Sequence, residues 1–356
     1  MKTEFLLVGQ GLCGTWLSYF LEQEKRDFIV LDPGHLPNAS LMAGGLINPV
    51  TGRRLVTTWL IDELMPFAQL HYNEMGQRLY SEQYSPFPQL IEERSILQFF
   101  SHPDSASIFT ARATEQQDYL HCPTTAPDSA RFFDPLLGIG LIKKSYQIAL
   151  DILLPAYKNK LRNEGRLLEK KFNYQALKKR SDGFRFEDIE FDQLLFCDGI
   201  GLHDNPLFSH LPVAPVKGEA LIVHAPGLPA THIFKGPLTM IPLKRADHWW
   251  VGSSYEWSFT DAQPSEAFKT TTEQTLQHWL KIPFTIADHW GAIRPGSKER
   301  RPFVGKHPQE PRIGLLGGMG TKGCSLAPYF ARQLVQHLLY DAPLHPEADL
   351  GRFNIN

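Results

Sequence analysis

Apolar residues near the amino terminus come in short runs broken by a change of period. Phe5-Leu6-Leu7-Val8 is a four-residue run between charge and glycine, which predicts a buried strand. From about Cys13 to Gln23 the spacing becomes helical, with Leu17, Phe20 and Leu21 on one inward face. A second run, Phe28 to Leu31, predicts a strand that ends in Asp32. Longer helical patterns follow over Leu55–Met75 and over Ser145–Leu161, the latter carrying Pro155 as a candidate kink. Residues 76–136 and 211–290 read as mostly extended. Short strands are predicted there at Glu219–His224, Thr231–Phe234, Leu238–Leu243 and His248–Ser253, with a short helix at Lys269–Trp279. A strand at Ile313–Leu316 and a helix at Ser325–Leu339 close the pattern.

Composition narrows this picture. The 36 Lys and Arg against 38 Asp and Glu leave a formal charge of −2, which excludes a strongly basic nucleic-acid domain but not a local patch. The length, 356 residues, suggests two domains. Cys13, Cys122, Cys197 and Cys324 show neither CxxC nor metal-ligand spacing, so no metal site and no disulfide framework are expected; four buried thiols are the simple reading. No run approaches a transmembrane span, and the start resembles a strand rather than a signal peptide. A cytoplasmic location is the expectation.

The opening unit carries the first candidate chemistry. Strand, Gly9-Gln10-Gly11-Leu12-Cys13-Gly14, helix, strand and Asp32 form a complete dinucleotide-binding βαβ fingerprint. Gly9 permits the tight turn, Gly11 lets backbone approach a pyrophosphate at the helix start, and Gly14 lets helix and strand close up. Asp32 is placed to accept from ribose hydroxyls, and Pro33 beside it disfavours a 2′-phosphate and hence NADP. The uncharged stretch Ala39 to Pro49, with Ser40, Ala43, Gly44 and Gly45, can pass its backbone close to a large flat ring. A long helical pattern follows it instead of another simple strand and helix, an order that favours FAD.

With these motifs the chain resembles the D-amino-acid oxidase superfamily of FAD-dependent oxidoreductases, whose members include glycine and sarcosine oxidases. The resemblance rests on Gly9, Gly11, Gly14 and Asp32, on Ser40 to Gly45, on Gly291-Ala292-Ile293-Arg294-Pro295 followed by Pro302 to Gly305, and on Gly317 to Gly323. It implies an α/β fold: a Rossmann-like FAD-binding domain of the glutathione-reductase type, interleaved with a mainly antiparallel β substrate domain. The FAD-binding parts are expected at 1–75, 137–210 and 291–356, the substrate parts at 76–136 and 211–290. It also implies a strand over Leu167–Phe172 near the adenine end, and another over Phe191–Gly199 that returns to the pyrophosphate. There Cys197-Asp198 departs from the family's small residues, and Asp198 near a phosphate needs compensating donors.

The resemblance assigns Leu12, Gly199, Gly318, Gly320, Thr321, Lys322 and Gly323 to cofactor binding, the last four beside the flavin's pyrimidine edge. Arg294 becomes the first choice for a substrate carboxylate, since a guanidinium clamps both oxygens. Lys322 joins it as a cation where reduced flavin gains charge, Tyr255 as a substrate contact and Arg53 as a further arginine near the site; Glu256 is read as tying the lobe together. The Trp249-Trp250 pair is read as packing. The implied reaction oxidises the C–N bond of a small amino acid or secondary amine by hydride transfer to flavin N5, giving an imine that hydrolyses, with oxygen or another acceptor reoxidising the flavin. A 2-hydroxy acid is an alternative substrate. So is an aminomethyl group of modified tRNA, given Lys143-Lys144, Lys170-Lys171 and Lys178-Lys179-Arg180, but the near-zero charge makes tRNA the weaker partner. A third reading is a non-catalytic protein that keeps FAD structurally.

Overall fold

The computed structural model describes residues 1–34, 38–80, 88–134 and 137–353. The first apolar run lies in the strand Lys2–Val8, which pairs in parallel with Phe28–Leu31 on one side and Ile189–Phe196 on the other. Leu167–Leu168 and Ile313–Gly317 extend the parallel sheet outward. Parallel strands need both faces covered. On one face the helices Leu12–Gln23, Ile61–Tyr80, Leu150–Asn163 and Gly323–Tyr340 bury Trp16, Tyr72, Tyr157 and Phe330. On the other, Phe172, Phe186, Phe191, Phe196 and Phe208 form a second core, bordered by the antiparallel strands Leu177–Lys179 and Phe184–Phe186.

A second sheet of eight strands runs Thr285–Ser297, Val213–His224, His248–Gly252, Thr239–Pro242, Ile233–Lys235, Ile96–Phe99, Ile139–Ile142, Leu120–His121. Every neighbour is antiparallel except Ile233–Lys235 beside Ile96–Phe99. Period-2 alternation gives its faces separate cores: Trp249 and Val251 turn to one, Trp250 to the other. A three-stranded sheet of Leu46–Ile47, Tyr146–Ile148 and Ile91–Glu93 lies between the two large ones in the chain.

Several elements differ from expectation. The helix expected from Ser145 begins at Leu150, because Tyr146–Ile148 is spent as a strand. The helix expected from Leu55 begins at Ile61 and runs to Tyr80; Val50–Thr51 and Val56–Thr57 pair instead as a small hairpin. The strand expected over Leu167–Phe172 keeps two residues. Within the stretch read as extended, Pro103–Glu115 is a helix, started by Pro103 at its first position and burying only Phe109. Cys122 is exposed, whereas Cys197 and Cys324 are buried. Strand Thr285–Ser297 runs unbroken across the expected cut at 290/291, and Ile139–Ile142, beyond the expected cut at 136/137, pairs into the second sheet. Among the described residues no helix is long and apolar enough to cross a membrane.

Candidate active site

The parallel strands Lys2–Val8, Phe28–Leu31 and Ile189–Phe196 end side by side, and a cavity of about 1350 Å³ opens there. Ligands bind open α/β sheets at this carboxyl edge. Gly9 makes the turn with φ +105°, and a Cβ there would lie 2.6 Å from the Cys197 carbonyl oxygen. A Cβ on Gly14 would overlap the Gly9 carbonyl, so that glycine serves the closeness of helix and strand and does not itself line the cavity. Asp32 accepts from the Gln10 amide at 2.9 Å and the Gly34 amide at 3.0 Å. Lys158, from the helix Leu150–Asn163, stands 3.1 Å from the same carboxylate.

The small-residue segment folds over this turn. Ser40 Oγ accepts from the Leu12 amide at 3.1 Å. Gly44 presses against the second sheet, where a Cβ would come within 2.5 Å of Ile241 and 3.1 Å of Trp250. Trp250 donates its indole N–H to the Met42 carbonyl at 3.0 Å. Gly45 (φ +75°) receives the Ile148 amide on its carbonyl at 2.8 Å. Ser40, Ala43, Gly44 and Gly45 all line the cavity, as do Gly9, Gly11, Leu12, Asp32, Gly199, Gly318, Gly320, Thr321 and Gly323.

The far wall belongs to the second sheet. Arg294 lines it, half-buried, with Nη1 donating to the carbonyls of Ser254 at 3.2 Å and Lys217 at 3.4 Å. The guanidinium lies against Gly218, where any Cβ would overlap it. Burial lowers the Arg294 pKa, with the nearby Tyr255 working the other way, and among the described residues no carboxylate forms an ion pair with it. Arginine stays charged under such a shift, so this is a partly desolvated cation with donors to spare. The Gly320 amide donates to the Pro295 carbonyl at 3.0 Å, tying the last glycine loop to the arginine's strand.

Beneath Arg294, on the opposite face of its neighbour strand, Glu219 is fully buried among Lys217 at 3.2 Å, His289 at 2.9 Å and Ser265. Burial works against the Glu219 carboxylate, but hydrogen bonds from Ser265 and Lys217 outweigh it and hold its pKa below the usual range. This cluster braces the sheet that carries Arg294. Backbone bonds between Lys217 and Glu256 at 2.9 and 3.0 Å pin the following loop to the same strand.

Three expected side chains lie elsewhere. Arg53 is exposed at the tip of the Val50–Thr57 hairpin, away from the cavity lining. Tyr255 is 55% exposed and does not line the cavity, although Arg294 stands 5.7 Å from its ring centre. Lys322 caps the helix Gly323–Tyr340 with its backbone, while its side chain is outside the lining; burial lowers its pKa, helped by Arg301 and Arg300. The unforeseen contributors are Lys158, Gly218 and Trp250. The helical spacing of Tyr157 and Leu161 was a signal that Lys158 faces the other way; for Gly218 the only signal was a glycine directly before the predicted strand Glu219–His224.

FAD fits these residues. The turn at Gly9 and Gly11 is a bare backbone cradle, Asp32 sits at the strand end for a ribose, and the Ser40–Gly45 segment lines the cavity without bulk. Burial pushes the Cys13 and Cys324 thiols up to about 12, so neither is a thiolate at neutral pH. Among the described residues no cluster of His, Cys, Asp or Glu is arranged to hold a metal ion.

Comparison with known proteins bears on the family and the fold. The family model described as FAD dependent oxidoreductase matches residues 4–337. Glycine oxidase from Pseudomonas putida is 26% identical, over 99% of this chain and 100% of that protein. A tRNA 5-methylaminomethyl-2-thiouridine biosynthesis bifunctional protein from Acidovorax sp. is 29% identical, over 43% of this chain and 28% of that protein. Among solved structures, glycine oxidase from Geobacillus kaustophilus superposes with a TM-score of 0.83 at 16% identity, covering 100% of this chain and 98% of that one.

Proposed function

The chain belongs to the family of FAD-dependent oxidoreductases and is related to glycine oxidase; from that premise we propose that it oxidises the C–N bond of a small amino acid or secondary amine that carries a carboxylate. The observation that carries this reading is Arg294: a cation on the cavity wall, without an acid partner among the described residues, notched into the space left by Gly218. A partly desolvated charge of this kind is stabilised by a ligand of opposite charge. Bound FAD supplies the acceptor for a hydride from the carbon that bears nitrogen.

The chain's own part is orientation. Arg294 clamps the acid, so that the α-carbon is presented toward the Gly44 and Gly45 side of the cavity. Gly320, Thr321 and Gly323 offer backbone amides at the cavity's edge, a role that Lys322 supports through its backbone as the helix cap. The Lys217–Glu219–His289 cluster and the Lys217–Glu256 backbone bonds keep the arginine's strand in register. Loss of a hydride and a proton leaves the substrate as an imine, which water hydrolyses. Two lobes belong to this reading, one holding FAD around the parallel sheet and one holding substrate on the antiparallel sheet. Four unpaired cysteines accord with the expected cytoplasmic location.

The aminomethyl-tRNA reading finds less support. Of the residues in its three basic clusters, Lys144 pairs with Asp118, Lys170 with Glu187, Lys179 with Glu310 and Arg180 with Glu190, which offsets their field. The test is anaerobic bleaching of the flavin by a panel of glycine, sarcosine, alanine of both hands, methylamine and glycolate. Bleaching by the carboxylated amines and not by methylamine is expected. Failure of every amine, with dithionite still reducing the flavin, sinks the proposal; bleaching by glycolate alone transfers it to 2-hydroxy acids.

A further inference from the structure

The strand Ile189–Phe196 delivers Cys197 and Asp198 to the cavity, against the phosphate turn: a Cβ on Gly9 would lie 2.7 Å from the Asp198 Cα. Asp198 is half-buried as a residue, with its carboxyl turned inward. Its Oδ1 is sealed from solvent and meets no donor, while Oδ2 lies against Gly201, where a Cβ would overlap it. The titratable groups facing it are Cys13 on the first helix, Cys197 on its own strand and Tyr174 from the 3₁₀ turn Tyr174–Ala176, with Asp32 and Asp204 beyond them. None of these is a cation. Lys158, the nearby ammonium, is engaged by Asp32. Burial, opposed only by the residue's own backbone amide and by no counter-charge, pushes the Asp198 pKa up to about 7.

An ionised carboxylate with one oxygen unpartnered and no cation facing it, beside a turn built for a diphosphate, is doubly unfavourable. A neutral carboxyl removes the charge and adds an O–H. We propose that Asp198 is a cofactor-binding residue that meets the FAD diphosphate as a neutral acid, donating its O–H to a phosphate oxygen, and that ionisation of this side chain loosens the cofactor. The inference rests on the reading that FAD occupies the cavity. Its sign follows from linkage: the protonated form binds, so affinity is full at acid pH and falls as pH rises through the pKa of the flavin-free protein.

The experiment is equilibrium titration of flavin-free protein with FAD, read by flavin fluorescence, from about pH 5.5 to about pH 9. Wild-type affinity is expected to be flat at the acid end and to fall by up to about tenfold per pH unit above neutrality. Asp198→Asn keeps a donor that cannot ionise, so its affinity is expected to be level across the range and close to the wild-type acid value. Wild-type affinity that is flat or rises with pH overturns the proposal, as does an Asn variant that keeps the wild-type slope. Circular dichroism melts at each pH check folding, and Asp198→Ser replaces the Asn variant if that one does not fold. Absence of FAD binding at every pH is a different failure: it removes the FAD reading and this inference with it.

Discussion

Arg294 depends on what its neighbour lacks. Gly218 has no side chain, and its strand mate leans a guanidinium into that gap. Gly218→Ala is therefore expected to displace the arginine while leaving the FAD turn untouched. Misplacing a positioning group by about 1 Å costs on the order of 100-fold in rate, so kcat/KM is expected to fall by about that factor with flavin content unchanged. Steady-state kinetics beside the visible spectrum checks this; unchanged kcat/KM contradicts it. At this scale the sequence was legible where function lies in consecutive letters. Gly9, Gly11, Gly14 and Asp32 are one βαβ unit, and the unit carries its own geometry. Gly218, Trp250 and Lys158 come from separate strands and a helix, so only sheet register and helix phase reveal that they share a cavity. Arg53 and Tyr255 show the converse: nearness in sequence to a site motif does not set which way a side chain points.

Among elements, the first and last helices of the parallel-sheet body are clamped at one residue. Glu24, at the end of Leu12–Gln23, receives Arg332 at 2.7 Å, Gln336 at 3.0 Å and the Tyr340 hydroxyl at 2.8 Å from Gly323–Tyr340. These contacts, the tyrosine foremost, overcome partial burial and hold the Glu24 pKa below its ordinary value. A depressed carboxylate pKa contributes stability above the unfolded value, and that contribution is lost as pH falls through the folded one. Glu24→Gln is expected to lower stability by about 1 kcal/mol at neutral pH and to match wild type once the solution is more acidic than the folded pKa. Thermal melts across the acid range test it; a difference that persists at low pH contradicts it. Helices with strong apolar faces were legible, but the starts of Ile61–Tyr80 and Leu150–Asn163 were not. Tyr146–Ile148 and Val56–Thr57 carry apolar residues that suit a helix in isolation, and only their strand partners decide otherwise. Pro103–Glu115 escaped notice because it buries a single aromatic residue.

Across the whole molecule, chain order and spatial order part company. The parallel sheet draws strands from residues 2–8, 28–31, 167–168, 189–196 and 313–317, and the antiparallel sheet collects strands from 96 to 297. The cavity takes its cofactor end from one sheet and its arginine wall from the other, so neither holds a complete site. That the parallel sheet draws on both ends of the chain was legible through the motifs there. The passage of the chain between sheets was not, since the strand Thr285–Ser297 keeps its pairing straight through the Gly291–Pro295 motif. On the proposed reading, Arg294 seats a substrate carboxylate in front of bound FAD. This role is tested most directly by anaerobic titration of wild type and Arg294→Ala with whichever amino acid bleaches the wild-type flavin. Removing one partner of a buried charge pair costs about 2 kcal/mol or more, a loss of roughly 30-fold or more in affinity. That loss is expected with the FAD spectrum retained; wild-type substrate affinity in the alanine variant would remove Arg294 from this role.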